Sequence, residues 1–542
     1  MTSWTAILIL AAAQFVMVLD SSVMNVSISQ IVEDLDTTIS GVQLAITAYT
    51  LVMAAFMLLG AKLGDIYGRD RTFAVGLAVY ASGSFITAIS PSLPVLLLGW
   101  SLVEGLGAIL VVPAIASLIA ANYEGKERAL AYGLIGGIAA AAVAVGPIIG
   151  GWVTTNFTWR YVFVAEVVIV GVILLFRSRV KPGSRPVNPP KLDVVGALLS
   201  AAGMGLVVFA ILQSSSWGWV QPRGALTLGG TAITPFGISA VPFMILAGLG
   251  VLALFGWWED RLKAQGREPL LDTAMLGIVH LRAGMSTLVA QQLVLMGLFF
   301  ALPVYLQVVL GLDALETGLK LLPMSVTMFA AALLGPRIAG RRSPRIVARV
   351  GLVALSLGAF VLVATMDPEL NSTAFAVGLG VFGVGVGLLA SQLGNVIMSS
   401  VAPSQTNQAG GLQGTAQNLG ASLGTALIGS ILIGAMTTSF ATHITSNPDV
   451  PPETATAIAQ AATDSGLEVV AADTVPALLV AAGLPPDQAE SMARDYADAQ
   501  MAGLKVALFA VALLAILSLW FTRNLPSRSA AEARAEPDPV PA

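Results

Sequence analysis

The feature that most constrains this chain is a series of long apolar runs that recur along nearly its whole length. A helix needs about 20 predominantly apolar residues to cross the hydrocarbon core of a bilayer. Runs of that length alternate here with short polar or basic segments, so the pattern predicts an all-α integral membrane protein with fourteen transmembrane helices. The predicted spans are 5–28, 42–62, 72–90, 93–121, 127–154, 159–177, 194–213, 238–258, 283–309, 315–335, 346–366, 373–400, 409–440 and 501–522.

Composition agrees with this assignment and excludes several other classes of protein. Only 11% of the 542 residues are charged and 56% are hydrophobic, whereas soluble domains carry about 25% charged residues. Because the chain has no cysteine and only two histidines, thiolate chemistry is excluded and we expect neither a metal site nor another cofactor. The net charge of −4 gives no reason to expect nucleic acid as a partner.

Basic residues are concentrated in alternate loops. They follow the even-numbered spans, as in Lys62–Arg71 after the second and Arg337–Arg345 after the tenth, whereas Glu33, Asp34 and Asp367 lie in intervening loops. Short loops rich in lysine and arginine remain in the cytoplasm. We therefore predict a multi-pass protein of the cell membrane with both termini in the cytoplasm.

Two basic linkers divide the spans into groups. The division predicts a six-helix bundle over 1–180, linkers and two extra helices over 181–282, and a second six-helix bundle over 283–522. Repeated bundles of this kind place a substrate site near the membrane midplane. The acidic segment 441–499 is expected outside the cytoplasm, either as short helices at the outer mouth or as a solvated loop without a role in transport. Residues 523–542 are expected to form a disordered cytoplasmic tail.

The loop between the second and third spans, GAKLGDIYGRDR at 60–71, combines glycines with charges. Glycine permits a tight turn, and the charged groups can pair with a neighbouring element in a latch that breaks when two bundles rock. The pattern resembles the loop signature of the major facilitator superfamily, although Ala61 replaces the usual glycine and Asp70 the usual base. The gating residues that the resemblance implies are Gly60, Asp65, Gly68, Arg69 and Arg71.

Two further motifs narrow the resemblance. QFVMVLDSSVMN, which contains Asp20 and Asn25, resembles the first-span signature of the fourteen-span drug/proton antiporters, and AVGPIIGG in the fifth span resembles their antiporter signature. An acid inside a membrane helix is a functional candidate, although Asp20 could instead only bond a neighbouring helix. Glycine and proline bend a membrane helix and allow close packing. The antiporter-type positions are Gly146, Pro147, Gly150 and Gly151.

The second half agrees with this family. PVYLQVVLG at 303–311 resembles the family's ninth span, and GGLQGTAQNLG at 410–420 resembles its thirteenth. The resemblance implies the major facilitator fold, with two six-helix bundles and two additional linker helices, for nearly the whole chain, and we expect a monomer. The candidates for the substrate cavity are Asn25, Tyr305, Gln307, Gln413, Gln417 and Asn418.

The chain departs from the family at three polar positions. Ser101 stands where the family has arginine, Glu104 where it has glutamine, and Glu166 where it has asparagine. A carboxyl group in a low dielectric can bind and release a proton, so we hypothesise that Asp20, Glu104 and Glu166 carry protons. The alternative is that Glu104 and Glu166 are neutral acids with structural roles.

These observations predict a secondary active transporter and not an enzyme, because the sequence contains neither a catalytic constellation nor a Walker lysine. The expected activity is proton-coupled export of hydrophobic or amphipathic small molecules, with cations favoured over anions. The expected partners are that substrate, protons and membrane lipids. The alternative is a lipid or lipid-precursor transporter or flippase on the same fold, which the missing arginine and the large insertion at 441–499 would suit.

Overall fold

A computed structural model of the chain describes residues 4–123, 125–182, 191–222, 226–228, 231–339, 341–402, 405–481 and 483–527. The described residues are helical apart from connecting segments and one two-stranded hairpin, in which Leu226 pairs with Ile233. The helices are α1 Trp4–Val26, α2 Ile28–Asp34, α3 Ile39–Tyr67, α4 Arg69–Ala88, α5 Leu93–Leu96, α6 Gly105–Asn122, α7 Gly125–Asn156, α8 Arg160–Phe176, α9 Val194–Trp217, α10 Ala240–Ala264, α11 Val279–Pro303, α12 Ala314–Ala339, α13 Pro344–Thr365, α14 Ser372–Ser399, α15 Thr406–Ser446, α16 Pro452–Ser465, α17 Val475–Ala481 and α18 Pro486–Ser518, and the strands are β1 Leu226–Leu228 and β2 Thr231–Ile233.

Short stretches of other helix types extend this set. A π-helical segment, Leu97–Glu104, joins α5 to α6 into one span, and a second, Val304–Val309, lengthens α11. A 3₁₀ segment, Leu519–Asn524, lengthens α18. Because π-helical segments often occur at functional sites, the first of them, which ends at a predicted proton carrier, is of particular interest.

Each of the fourteen predicted runs is helical. Twelve helices in the described part of the chain are long and apolar enough to cross a membrane. The helix α7 becomes a thirteenth if its two halves, Leu134–Val143 and Val145–Asn156, which meet at 43°, form one span. The 20-residue helix α4 is not in this set. The helical membrane fold is therefore confirmed, and the count of fourteen spans stays a prediction.

The spans form two bundles and an accessory pair. The first bundle contains α1 and α3 to α8, and the second contains α11 to α15 and α18. The bundles meet where α3 packs against α15 and where α7 packs against α12. The accessory helices α9 and α10 pack against each other, and α9 also contacts α3 and α15. The predicted domain boundaries, 1–180, 181–282 and 283–522, stay a prediction.

The segment predicted as an insertion at 441–499 is largely helical and packed. It contains the end of α15, all of α16 and α17, and the first part of α18, so the helical boundaries lie at Ser446 and Pro486. The Tyr496 hydroxyl donates to the Glu468 carbonyl at 2.7 Å and accepts the Val470 N–H at 2.8 Å. This part of the chain therefore has its own internal contacts. Two predicted segments, 183–190 of the basic linker and 528–542 of the tail, lie outside the described residues.

Candidate functional site

Three acids from three different helices meet inside the first bundle. Asp20 lies on α1, Glu104 at the end of the π-helical segment, and Glu166 on α8, and one carboxylate oxygen of each lies within 4.8 Å of the others. All three residues are buried from solvent, with exposed fractions of 0%, 0% and 1%. The structure therefore places the three predicted proton carriers in one enclosed group, which we call the carboxyl cluster.

Asp20 is held by the indole ring of Trp100. The Trp100 Nε1–H donates to both carboxylate oxygens, at 2.9 and 3.0 Å. The Trp100 ring stacks on the Tyr49 ring, with centroids 4.7 Å apart and planes 3° from parallel. Because Trp100 and Glu104 lie on the same π-helical segment, this segment positions one acid and the hydrogen-bond donor of another.

The other two acids, Glu166 and Glu104, differ in the hydrogen bonds that their carboxylate oxygens accept. One oxygen of Glu166 accepts the hydroxyls of Tyr80 and Ser84 on α4, at 3.4 and 3.2 Å. Neither oxygen of Glu104 has a hydrogen-bond partner. The close approach of α4 is made possible by Gly83, because a Cβ there would lie 2.5 Å from the Glu104 backbone nitrogen. Glu104 is thus brought beside two partnered acids with both of its own oxygens available.

No base pairs with the carboxyl cluster among the described residues. The usual partner of such acids would be an arginine, but at the position where the family carries it Ser101 donates its hydroxyl to the Ala45 carbonyl at 2.9 Å. Four ion pairs among the described residues, Lys62–Glu268, Arg69–Asp65, Arg160–Asp34 and Lys263–Asp272, do not include an acid of the cluster. Three like charges at this separation in a low dielectric would repel strongly, so the acids cannot all be ionised together.

The antiporter-type residues of α7 lie at the contact between the bundles. On one side a Cβ at Gly146 would meet Ser22 of α1 at 2.5 Å. On the other side a Cβ at Gly151 would collide with the Ala314 carbonyl of α12, and one at Gly318 with the Pro147 carbonyl. Gly150 faces Val23 of α1 in the same way. The helix α7 therefore packs backbone to backbone with the second bundle and closely against the helix that carries Asp20.

Comparison with known proteins supports the family that the sequence motifs indicate. A family model described as the Major Facilitator Superfamily matches residues 10–425 of the chain. This chain belongs to the major facilitator superfamily. It is therefore a transporter and not an enzyme, and the resemblance found in the sequence motifs is confirmed.

Curated relatives of the chain are named as a transporter, an export protein and an efflux pump. The chain is 30% identical to a probable actinorhodin transporter of Streptomyces coelicolor over 80% of this chain and 72% of that protein. It is 29% identical to the tetracenomycin C resistance and export protein of Streptomyces glaucescens over 99% of this chain and 94% of that protein. It is 29% identical to the multidrug efflux pump LfrA of Mycolicibacterium smegmatis over 87% of this chain and 88% of that protein.

Solved structures share the fold. A bacterial homologue of the human lysosomal transporter Spinster, in an inward-facing conformation, aligns over 96% of this chain and 97% of its own, with a TM-score of 0.58 and 14% identity. A D-xylose–proton symporter aligns over 80% of this chain and 90% of its own, with a TM-score of 0.55 and 11% identity. At these identities the likeness concerns the major facilitator fold alone.

The superfamily loop at 60–71 makes one local and one longer contact. Arg69 pairs with Asp65 one helical turn away, at 3.2 Å, and Gly68 provides the turn between α3 and α4 at a φ of 95°, which favours glycine. Lys62 pairs with Glu268 in the linker after α10, at 2.9 Å. The predicted residue Arg71 is exposed, and Gly60 packs on the Ile109 carbonyl of α6.

The predicted cavity residues of the first span and of the ninth are engaged in protein contacts. The Gln307 amide bridges the two bundles, because its Nε2 donates to the Val26 carbonyl at 2.9 Å and its Oε1 accepts the Ser29 N–H at 3.1 Å. The Tyr305 hydroxyl donates to the Asp367 carbonyl at 2.7 Å. Asn25 donates to the carbonyl of Ser21, at 2.7 Å.

The predicted cavity residues of α15 lie elsewhere. Asn418 donates to the Gly414 carbonyl at 2.9 Å, Gln417 is exposed, and the Gln413 Oε1 is buried without a partner. Because Gly411 and Gly414 pack against Leu58 and Met57, this part of α15 lies near the end of the bundle where the 60–71 loop is found. The six cavity candidates therefore do not form one site in this conformation, and their role in substrate binding stays a prediction.

Sequence reasoning missed several residues that complete these contacts. Trp100, Tyr49 and Tyr80 surround the carboxyl cluster, and Gln43 donates to the Thr425 carbonyl across the bundle interface at 2.9 Å. Trp100 lies four residues before Glu104, and that spacing could have identified it as a neighbour. The contact of Gln43 gave no signal, because a glutamine near the start of a span is as compatible with solvent exposure as with burial.

Proposed function

We propose that this protein exports hydrophobic or amphipathic small molecules by alternating access, and that protons entering the cell drive the export. The observation that carries the proposal is the carboxyl cluster, which is enclosed, lacks a base among the described residues and contains one acid with neither oxygen bonded. Two of the relatives are named as a tetracenomycin C resistance and export protein and a multidrug efflux pump, and these names support export as the direction.

The cluster is suited to hold protons. Three carboxylates this close cannot all be ionised in a low dielectric, so at least one proton must be retained while another is exchanged. Glu104 lies beside Asp20 and Glu166, and neither of its oxygens has a hydrogen-bond partner among the described residues. In the proposed cycle Glu104 shares a proton with one neighbour, and release occurs when the bundle rearranges to admit water.

Asp20 lies close to the residues of α1 that contact α7. Asp20 lies two and three residues before Ser22 and Val23, which pack against Gly146 and Gly150 of α7. The same part of α7 contacts the backbone of α12 in the second bundle. A shift of α1 on proton binding would therefore act on the contact about which two bundles of a major facilitator protein rock.

The substrate class follows from the charges around the centre of the molecule. The cluster contains three acids, and no described base pairs with them. An anionic substrate would therefore find no counter-charge there, whereas a cationic or neutral compound would not be repelled. In the conformation described here the acids are buried, so a substrate would approach them only after the bundles move.

The test uses the full chain in proteoliposomes with the cationic dye ethidium and an imposed pH gradient. Glu104→Gln and Asp20→Asn should abolish the acceleration of dye transport by the gradient while the purified protein keeps its melting temperature. Glu259→Gln, an acid-to-amide change at a buried carboxyl in α10, is the matched control and should keep the acceleration. Unchanged proton dependence in both cluster variants would overturn the proposal.

Lipid transport on the same fold remains a second candidate, because Ser101 occupies the position of the family arginine and is engaged with the Ala45 carbonyl. Transfer of a fluorescent lipid between leaflets, measured in the same proteoliposomes, would favour this candidate if it occurred without ethidium transport.

A further inference from the structure

A cavity of ≈ 770 Å³ lies away from the carboxyl cluster, on the side of the second bundle. It is lined by the C-terminal end of α9 and the segment that follows, by the second half of α15, and by α18 at Ala502 and Val506. Since α15 begins near Leu58 of α3 and passes Gln43 at Gly429, this cavity is at the opposite end of the bundle from the 60–71 loop. Its volume is in the range of small-molecule sites.

One face of α15 supplies most of its polar lining. Ser430, Thr438 and Thr442 are spaced by multiples of four residues, and Ser439 and His443 form a neighbouring row with the same spacing. Residues spaced by four lie on one side of a helix. None of the described residues that line the cavity is an aspartate, glutamate, lysine or arginine, so these residues offer an ionised head group no counter-charge.

The hydroxyls present hydrogen-bond acceptors. The Ser430 hydroxyl donates to the Ile211 and Leu212 carbonyls of α9, at 2.8 and 3.1 Å. The Ser214 hydroxyl donates to the same Ile211 carbonyl at 2.7 Å, and the Thr442 hydroxyl donates to a carbonyl of its own helix at 2.9 Å. A hydroxyl that donates its one proton keeps lone pairs that can accept. These hydroxyls therefore favour a ligand that brings O–H or N–H donors.

A second observation points to a ligand at the same place. The Nδ1 atom of His443 is buried and has no hydrogen-bond partner, and His443 lines the cavity. Buried polar atoms are nearly always bonded, so this nitrogen calls for a group that the described protein atoms do not provide. A histidine ring nitrogen can accept or donate a hydrogen bond, according to its tautomer.

Polar side chains become more frequent toward one end of the cavity. Ile431, Ala435 and Val506 lie toward the apolar part of their helices, whereas Thr442 and His443 follow the point after Met436 where α15 becomes polar. Trp219 also lines it, and tryptophan is enriched where a membrane protein meets the interface between lipid and water. The lining thus matches a molecule with an apolar body and a polar head.

We propose that this cavity binds a neutral amphiphile whose head group carries hydroxyl or amide N–H donors. The head lies against His443 and the α15 hydroxyls, and the apolar body lies beside Ile431 and Val506. Two sources share this chemistry, a neutral glycolipid of the bilayer and an exported polyhydroxylated compound. The inference does not depend on the carboxyl cluster, because the cavity and the cluster have no residue in common.

The experiment is photolabelling of the full chain in lipid nanodiscs, with peptides mapped by mass spectrometry. The probes are a photoactivatable dialkyl glucoside, a photoactivatable phosphatidylglycerol with the same chains, and a photoactivatable neutral polyhydroxylated aromatic compound. Ala435→Phe fills the cavity, and Ala247→Phe makes the same change on an exposed face of α10. His443→Phe removes the ring nitrogens, and His443→Asn restores one polar group near the same place.

A neutral probe should label the 430–443 peptide, and Ala435→Phe should lower that labelling by about fivefold or more while Ala247→Phe leaves it unchanged. His443→Phe should also lower it, with partial recovery in His443→Asn, which keeps the test open if Ala435→Phe fails to fold. Labelling by the glucoside identifies the lipid source, and labelling by the aromatic compound identifies the exported source. Three results would overturn the proposal. The phosphatidylglycerol probe could label the peptide as strongly as a neutral probe does, or neither neutral probe could label it. The third result is labelling by a neutral probe that is the same in the parent and in all four variants.

Discussion

The indole N–H of Trp100 donates to both carboxylate oxygens of Asp20, at 2.9 and 3.0 Å, inside a fully buried part of the first bundle. An almost identical pair occurs in the accessory helices, where the Trp258 indole donates to both oxygens of Asp193 at 3.1 and 3.2 Å. Only the first pair belongs to the carboxyl cluster. The molecule therefore provides its own control for what an indole–carboxyl contact contributes to transport.

Replacing Trp100 by phenylalanine should slow proton-driven ethidium transport. Phenylalanine keeps an aromatic ring beside Tyr49 but removes the N–H donor of Asp20. The loss of such a hydrogen bond is worth about 1–2 kcal/mol, or about a tenfold change in rate if it acts on the transport step. Trp258→Phe should leave the rate within twofold of the parent, so equal losses in the two variants would show that the effect is structural.

Adding a methyl group at Gly318 should interfere with the contact between the bundles. A Cβ there would collide with the Pro147 carbonyl of α7, and main-chain atoms cannot move aside as a side chain can. Overpacking of this kind costs about 1–3 kcal/mol, so we expect Gly318→Ala to lower both the melting temperature and the transport rate. Gly171→Ala on α8, where a Cβ would meet nothing within 4 Å, should change neither. An unaffected Gly318→Ala protein would contradict the described packing of α7 on α12.

Removing the Gln307 amide should loosen the bundles where α1 ends. Gln307→Ala deletes two hydrogen bonds, one to the Val26 carbonyl and one from the Ser29 N–H. At about 1 kcal/mol each, their loss should raise the population of conformers opened at this end by roughly thirtyfold. A cysteine placed at the buried position of Ser27 should then react faster with a membrane-impermeant maleimide.

This measurement is free of background labelling, because the chain has no cysteine of its own. The matched control is Gln417→Ala, which removes the same amide from an exposed position on α15 and should leave the reaction rate of the Ser27 position unchanged. A Gln307→Ala protein with the parental labelling rate would mean that these two bonds do not hold the bundles together.

The predicted topology can be tested with two exposed positions. Asp473 lies in the 441–499 segment and Arg342 in the basic segment between α12 and α13. If the segments are on opposite sides, Asp473→Cys in intact cells should react with an impermeant maleimide, and Arg342→Cys should react only after the membrane is opened. Reaction of both cysteines in intact cells would place the two segments on the same side and refute the orientation.

Part of the candidate site could be predicted from the sequence. Asp20, Glu104 and Glu166 were identifiable because carboxyl groups are rare in apolar spans, and each departs from its surroundings in charge. Their meeting within 4.8 Å was not predictable from spacing, because it depends on how three helices far apart in the chain rotate toward one another. The sequence gives each helix a face but does not say which neighbour that face will contact.

The same limit explains the cavity candidates. Tyr305 and Gln307 are two residues apart on one segment, and both are polar in an apolar context. In the structure Tyr305 holds the loop after α13, and Gln307 bridges the bundles. Polarity identified them as important, but only the contacts of their side chains distinguish a structural role from a role toward a ligand.

The helix α15 runs without interruption from Thr406 to Ser446, which at 1.5 Å per residue is about 60 Å, roughly twice the thickness of the hydrocarbon core. A rigid rod of that length acts as a lever arm, so a small tilt within the membrane becomes a large displacement at its tip. A fluorophore attached beyond Ile444 would therefore report the swing of the second bundle from outside the lipid, without any modification of the transport pathway.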